Sequence, residues 1–122
     1  MFEKKKIIVI DDDEPILVMA KGMLDQDYDV TTVKSGKEAL QLFFQGYAPD
    51  LVLLDLAMPD MDRWDTYNRI RDISNIHKVP IAIFSSSQDP ADKEKAQKIA
   101  AADYIKKPIK KDDLIDRVKK LT

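Results

Sequence analysis

With 122 residues, 44% hydrophobic and 34% charged, the chain suffices for one domain with a real core and is too short for two ordinary ones. Its net charge of −2 gives no whole-protein attraction to nucleic acid or to an anionic membrane surface, and the absence of cysteine excludes disulfides, thiolate catalysis and cysteine-ligated metals. The apolar run near the N-terminus is too short for a signal-peptide core and no stretch approaches a membrane span, so a cytoplasmic location is expected.

The elements alternate. Ile7–Ile10 reads as a first strand, apolar throughout, and runs into Asp11-Asp12-Asp13. A helix from Pro15 to Gln26 follows, burying Ile16, Ala20, Met23 and Leu24. Val30–Val33 is the second strand. Ser35-Gly36-Lys37-Glu38 then fits a capping box, and Ala39, Leu42 and Phe43 supply the apolar face of a second helix. Leu51–Leu54 is the third strand and ends at Asp55. The third helix, Asp62 to Ile73, offers Trp64, Tyr67, Ile70 and Ile73. Ile81–Phe84 is the fourth strand, with Ser85 at its end. Asp89-Pro90 looks like an N-cap followed by proline at the first helical position. That fourth helix, to Ala101, has Ala91, Ala96, Ile99 and Ala100 as its main apolar residues, and a helix anchored so lightly moves more readily than its neighbours. Asp103–Ile105, a fifth strand assigned mainly from the alternation, leads to Lys106-Lys107-Pro108. Leu114, Val118 and Leu121 share one side of a C-terminal helix. Five strands alternating with five helices imply an α/β doubly wound parallel sheet with right-handed crossovers, in one domain over residues 1–122 with no second module.

Three of these strands end in charge. If they are parallel neighbours, Asp11, Asp12, Asp55 and one lysine converge beyond their carboxyl ends, the edge where open α/β sheets bind ligands. Two carboxylates about 4 Å apart repel by roughly 4 kcal/mol at an effective dielectric near 20. Something cationic must complete such a site, and an oxygen-only ligand set suits a hard ion such as magnesium. Asp13 and Glu14 already turn into the first helix and read as first-turn charge favoured by the macrodipole. Asp55 is either an N-cap or a nucleophile held beside a cation, and the late start of the third helix weakens the capping reading. Lys106, Lys110 and Lys111 read as surface lysines, whereas Pro108 restricts the direction of Lys107. Ser85 by itself is a turn residue and Tyr104 an ordinary amphipathic ring. His77 has no second histidine nearby, and Met58, Met61 and Trp64 read as packing residues.

Asp11-Asp12, the run from Pro49 through Asp55 to Met58-Pro59, Ser85, and Tyr104-Ile105-Lys106-Lys107-Pro108 together resemble the receiver domain of two-component response regulators. The resemblance covers essentially the whole chain, in order. It implies a flavodoxin-like, three-layer fold with strand order 2-1-3-4-5. It implies that Asp55 accepts a phosphoryl group from a phosphohistidine of a sensor histidine kinase or phosphotransfer protein. Mg2+ would be held by Asp11, Asp12, Asp55 and the Ala57 backbone carbonyl, with Asp12 the favoured direct ligand of the first pair. Lys107, preceding a cis proline, would pair with the phosphoryl group, and Ser85 and Tyr104 would form the switch pair. The product would be a signalling switch rather than a turnover enzyme, a monomer or weak dimer acting on a downstream protein of unknown identity, with no nucleic acid and no membrane among its partners.

Asp60 and Arg63 stand where the family usually has glycine, and so does Ala100, which suggests a turn there that avoids positive φ. Two other readings stay open. One is a haloacid-dehalogenase-type phosphohydrolase with Asp11 as nucleophile, since Asp11-Asp12-Asp13 satisfies a D-x-D after a first strand. The other is a receiver that signals by binding without phosphorylation.

Overall fold

The computed structural model describes residues 3–58, 64–73 and 78–122. Asp60, Met61, Asp62, Arg63 and His77, on which several sequence readings fall, lie outside the described residues. Five parallel strands, β1 (Lys5–Ile10), β2 (Tyr28–Val33), β3 (Leu51–Leu54), β4 (Ile81–Ser85) and β5 (Asp103–Lys106), form one sheet in the order β2-β1-β3-β4-β5. This is the flavodoxin-like order that the sequence resemblance implies. The strands in the middle of that order are apolar because both their faces are covered: every residue of β3 and β4 is buried, as are the last four of β1. The edge strands β2 and β5 carry partly exposed positions.

Alternation along the strands sorts the core into two layers. Ile7, Val9, Leu51, Leu53, Ala82 and Phe84 pack with α1 (Glu14–Leu24) and α5 (Lys111–Leu121). Ile8, Ile10, Val52, Leu54, Ile81 and Ile83 face the opposite way, toward α2 (Gly36–Phe44), α3 (Asp65–Arg71) and α4 (Pro90–Lys98). In α1 the fully buried residues are Leu17, Ala20 and Leu24, while Ile16 and Met23 pack at the border. The expected start of α2 is present with one difference. Ser35 Oγ accepts from the Glu38 N–H at 3.1 Å, and Glu38 Oε2 accepts from the Lys34 N–H at 2.8 Å, one residue before the cap.

Helix α4 is as lightly anchored as expected. It buries only Asp92 and Ala96, and Ala91 faces solvent. It also ends earlier than the sequence suggests, and the reason corrects the reading of Ala100. Ala100 takes φ +58, the left-handed conformation that the sequence reading expected this turn to avoid. The Ala101 N–H donates to the Ala96 carbonyl at 3.0 Å and the Ala100 N–H to the Gln97 carbonyl at 3.2 Å. These are the two bonds of a Schellman cap, which requires positive φ at the residue Ala100 occupies. The same motif closes α2, where Tyr47 N–H bonds the Leu42 carbonyl and Gly46 N–H the Phe43 carbonyl, with Gly46 at φ +98.

Among the described residues no helix is long and apolar enough to cross a membrane.

Candidate functional site

The sheet ladder runs one residue past the strand ends and fixes what emerges there. The Asp11 N–H donates to the Val33 carbonyl at 3.1 Å, the Asp55 N–H to the Ile10 carbonyl at 2.9 Å, and the Lys107 N–H to the Ser85 carbonyl at 2.9 Å. Because Ile10 pairs with Leu54 in the parallel register, Asp11 and Asp55 leave their strands side by side. Carboxylate oxygens of Asp11, Asp12 and Asp55 come within 4.8 Å of one another. Residues more than forty positions apart in the chain therefore meet at the edge that their strand ends predict.

Lys107 lies across this cluster. It is 8% exposed, its Nζ pairs with Asp11 Oδ2 and stands 3.6 Å from Asp55 Oδ1. The ammonium also sits 5.1 Å from the centre of the Phe84 ring, so its floor is aromatic and its upper side is acidic. The Lys107–Pro108 peptide bond is cis. Asp11 has both oxygens engaged, since Oδ1 accepts from the Asp13 N–H at 3.0 Å while Oδ2 meets Lys107.

Charge in the pocket does not balance. Three carboxylates face one ammonium, and burial is the largest influence on Asp55, raising its pKa above the ordinary value near 3.8. Lys107 pulls it down, Asp11 pushes it up, the Ala57 backbone amide hydrogen-bonds the carboxylate and lowers it, and Asp12 adds a smaller push upward. The net displacement is upward, so the deprotonated form lacks cationic support that the protein itself does not supply. An oxygen-only donor set with one solvent-exposed member, Asp12, fits magnesium, which keeps several waters and takes one or two carboxylates.

Ser85 is buried as the last residue of β4, and its Oγ accepts from the Ser87 N–H at 3.1 Å. The Tyr104 ring packs partly buried in a groove with Lys93, Ala96, Gln97 and Ala101 along its wall. Its hydroxyl is buried and finds no hydrogen-bond partner among the described residues.

Sequence reasoning missed the Phe84 floor, the Ser87–Asp92 pair and the clamp of Arg117 on β5. Arg117 donates to both oxygens of Asp103 at 2.7 Å and to the Tyr104 carbonyl at 3.0 Å, which holds the Asp103 carboxyl below its ordinary range. Lys106 is exposed and reaches Gln88, Lys110 and Lys111 are exposed, Met58 is buried and Trp64 half-buried, as their spacing suggests.

Residues 7–119 match the family model described as "Response regulator receiver domain". The chain is 36% identical over 104 residues to a probable cyclic di-GMP phosphodiesterase of Vibrio cholerae, a match covering 84% of this chain and 23% of that protein. It thus spans less than a quarter of that curated relative. Among solved structures it resembles the chemotaxis response regulator CheY4 of Vibrio cholerae, with TM-score 0.87 and 25% identity over 98% of this chain and 100% of that one. It also resembles the BeF3-activated DrrB receiver domain, with TM-score 0.85 and 27% identity over 98% and 97% of the two chains.

Proposed function

The chain belongs to the response regulator receiver family, and from that premise we propose that Asp55 is the phosphoacceptor of a magnesium-dependent signalling switch. Receiver domains are phosphorylated by histidine kinases; the donor here is a kinase or phosphotransfer protein carrying a phosphohistidine. The observation that carries the reading is the placement of the Lys107 ammonium between the buried carboxylates of Asp11 and Asp55, in a cluster that still lacks positive charge.

The chemistry follows from that arrangement. An Asp55 carboxylate oxygen forms a bond to phosphorus as the phosphorus–nitrogen bond of the donor breaks. The imidazole nitrogen leaves with the electron pair and takes up a proton. Lys107 Nζ, already 3.6 Å from Asp55 Oδ1, meets the negative phosphoryl oxygens, a preorganised charge that costs no rearrangement at the moment of reaction. Asp12, Asp55 and the Ala57 carbonyl would hold magnesium directly, with Asp11 completing the set. The bound ion supplies neutralisation of the charge gathering on the transferring group. The product carries about −1.5 to −2 charges on the phosphoryl oxygens beside Lys107 and Ser85, in place of the single negative charge of the carboxylate. Ser85 Oγ then turns toward the phosphoryl group, and the Tyr104 hydroxyl, lacking a partner among the described residues, has reason to change place with it.

The face formed by α4, β5 and α5 is proposed as the output surface, in a cytoplasmic setting, toward a protein partner. The phosphohydrolase reading with Asp11 as nucleophile is disfavoured, because the family match over residues 7–119 is to receiver domains.

The test is intact mass after incubation with acetyl phosphate and magnesium. Wild type gains one phosphoryl group and Asp55→Asn gains none. No gain in wild type, or an equal gain in Asp55→Asn, removes the assignment.

A further inference from the structure

We propose that Asp92 is a positioning residue for Ser85, acting through Ser87, and that it sets how readily the site switches. The proposal rests on the reading of Asp55 as phosphoacceptor. Asp92 is 5% exposed on a helix that otherwise buries only Ala96, so a carboxylate is one of the two side chains that α4 buries. Burying an ionised group is costly unless hydrogen bonds replace its water. Capping does not require it, since Asp89 Oδ1 already accepts from the Ala91 N–H at 3.0 Å.

The contacts around Ser87 show what the carboxylate does. Asp92 stands three residues after the N-cap, where an acid ordinarily reaches back to the cap's own N–H. Here the Ser87 hydroxyl is interposed. It donates to Asp92 Oδ2 at 2.5 Å and accepts from the Asp89 N–H at 3.2 Å. The Ser87 backbone N–H, oriented by that anchored side chain, donates to Ser85 Oγ at 3.1 Å. One run of hydrogen bonds thus leads from the first turn of α4 to the hydroxyl that must turn toward Asp55. Holding Ser87 favours the arrangement seen here, and a ligand of Asp55 that prefers the turned hydroxyl binds in proportion to the fraction already turned.

The experiment compares wild type with Asp92→Ala, Asp92→Asn, Ser87→Ala and the Asp92→Ala/Ser87→Ala double variant. Beryllofluoride with magnesium serves as the phosphoryl mimic. The single tryptophan, Trp64, reports binding, because Lys95 of α4 lies 5.4 Å from its ring centre. Asp92→Ala and Ser87→Ala should each lower the half-saturating beryllofluoride concentration about fivefold, the factor one net hydrogen bond makes in an equilibrium constant. The double variant should go no further, because both changes cut the same connection. Asp92→Asn, whose amide oxygen can still accept from Ser87, should return most of the way to wild type.

Asp89→Ala is the control, removing a side-chain cap of the same helix while keeping the backbone N–H that Ser87 Oγ accepts from. It should lower the melting temperature and leave half-saturation unchanged. In the unphosphorylated protein, hydrogen exchange at the Ser87 amide should speed up in Asp92→Ala and not in Asp89→Ala. Unchanged half-saturation, additive shifts, or unchanged Ser87 exchange would overturn the proposal. Should Asp92→Ala fail to fold, Ser87→Ala and Asp92→Asn decide it by the same readouts. If wild type does not bind beryllofluoride, the Asp55 reading fails instead, and the exchange comparison still decides whether Asp92 holds Ser87.

Discussion

Replacing Ala100 by glycine should stabilise the protein, although it removes a methyl group from a folded chain. Ala100 holds φ +58 at the end of α4, and an L-residue with a Cβ gives up about 1–2 kcal/mol in the left-handed region. Glycine removes that cost but gains freedom in the unfolded chain, worth about 0.4–1 kcal/mol against the variant. Ala100 is exposed, so little packing is lost. The balance is a gain of about 0.5–1 kcal/mol. For a chain of this size that corresponds to a rise of roughly 2–4 °C in melting temperature, taking about 2.1 cal/mol/K of unfolding entropy per residue. The mirror experiment is Gly46→Ala, at φ +98 with nothing within 4 Å of the added Cβ. It should cost about 1 kcal/mol from conformation alone. Thermal and urea unfolding followed by circular dichroism would measure both. A lower melting temperature for Ala100→Gly, alongside a normal loss for Gly46→Ala, would refute the claim that the left-handed alanine is strained.

Four further outcomes follow from the same geometry. Asp55 has a raised pKa in the folded protein, so the folded state holds its proton more tightly than the unfolded state. Stability from this group therefore falls as pH rises from the ordinary value near 3.8 through the folded value. Asp55→Asn should then melt higher than wild type at pH 7 without divalent cation. That difference should vanish below the ordinary value and shrink with millimolar magnesium; a lower melting temperature at pH 7 would contradict it. Lys107→Ala should retain the fold on circular dichroism but lose about 1–3 kcal/mol in metal-free buffer, because Asp11 and Asp55 lose their ammonium. Magnesium should restore part of that loss, whereas phosphorylation should affect partner binding less than in wild type. Ser35→Ala should cost about 1 kcal/mol by urea unfolding, through loss of the cap on Glu38 N–H. Arg117→Ala should cost about 0.5–1 kcal/mol, since the pair is partly exposed and screened, and the deficit should fade as acid titrates the depressed Asp103 carboxyl.

The strand order and the charged edge were readable because both rest on local pattern. A short apolar run ending in aspartate says where a buried strand stops and what lies beyond it. Once Ile10 is paired with Leu54, the meeting of Asp11 and Asp55 is geometry. Ala100 was misread because residue type was weighed alone: two backbone hydrogen bonds from Ala100 and Ala101 outweigh the penalty of a left-handed alanine. Asp92 was passed over for a related reason. In sequence it is one more acid in the first turn of a helix, and only the fold reveals that it is buried against Ser87. Phe84 beneath Lys107 and the Arg117 clamp on Asp103 likewise depend on which side of the sheet a residue faces and on how α5 docks, which no spacing within one element conveys.

These missed contacts share a consequence for the proposed switch. Helix α4 buries one alanine and one aspartate, with Ile99 packed at the border, so hydrophobic burial contributes little to keeping it in place. Its position depends instead on directional contacts. These include the Ser87–Asp92 bond at one end, Lys95 over Trp64 on its side, and the alanine-closed Schellman cap at the other end. Each is worth about 1 kcal/mol, whereas a packed aliphatic side chain is worth about 1.5–3 kcal/mol and responds little to nearby charge. A helix held mainly by polar contacts near the proposed phosphoacceptor is one that charge can move. The strands that lead to Asp11 and Asp55 are buried on both faces and are not, and Lys107, just past the edge strand β5, is itself buried. Rigid placement of the Asp11 and Asp55 carboxylates and loose placement of the adjoining helix thus arise from one division of the sequence: continuous apolar runs in β1 and β3, and charged residues with a few alanines in α4.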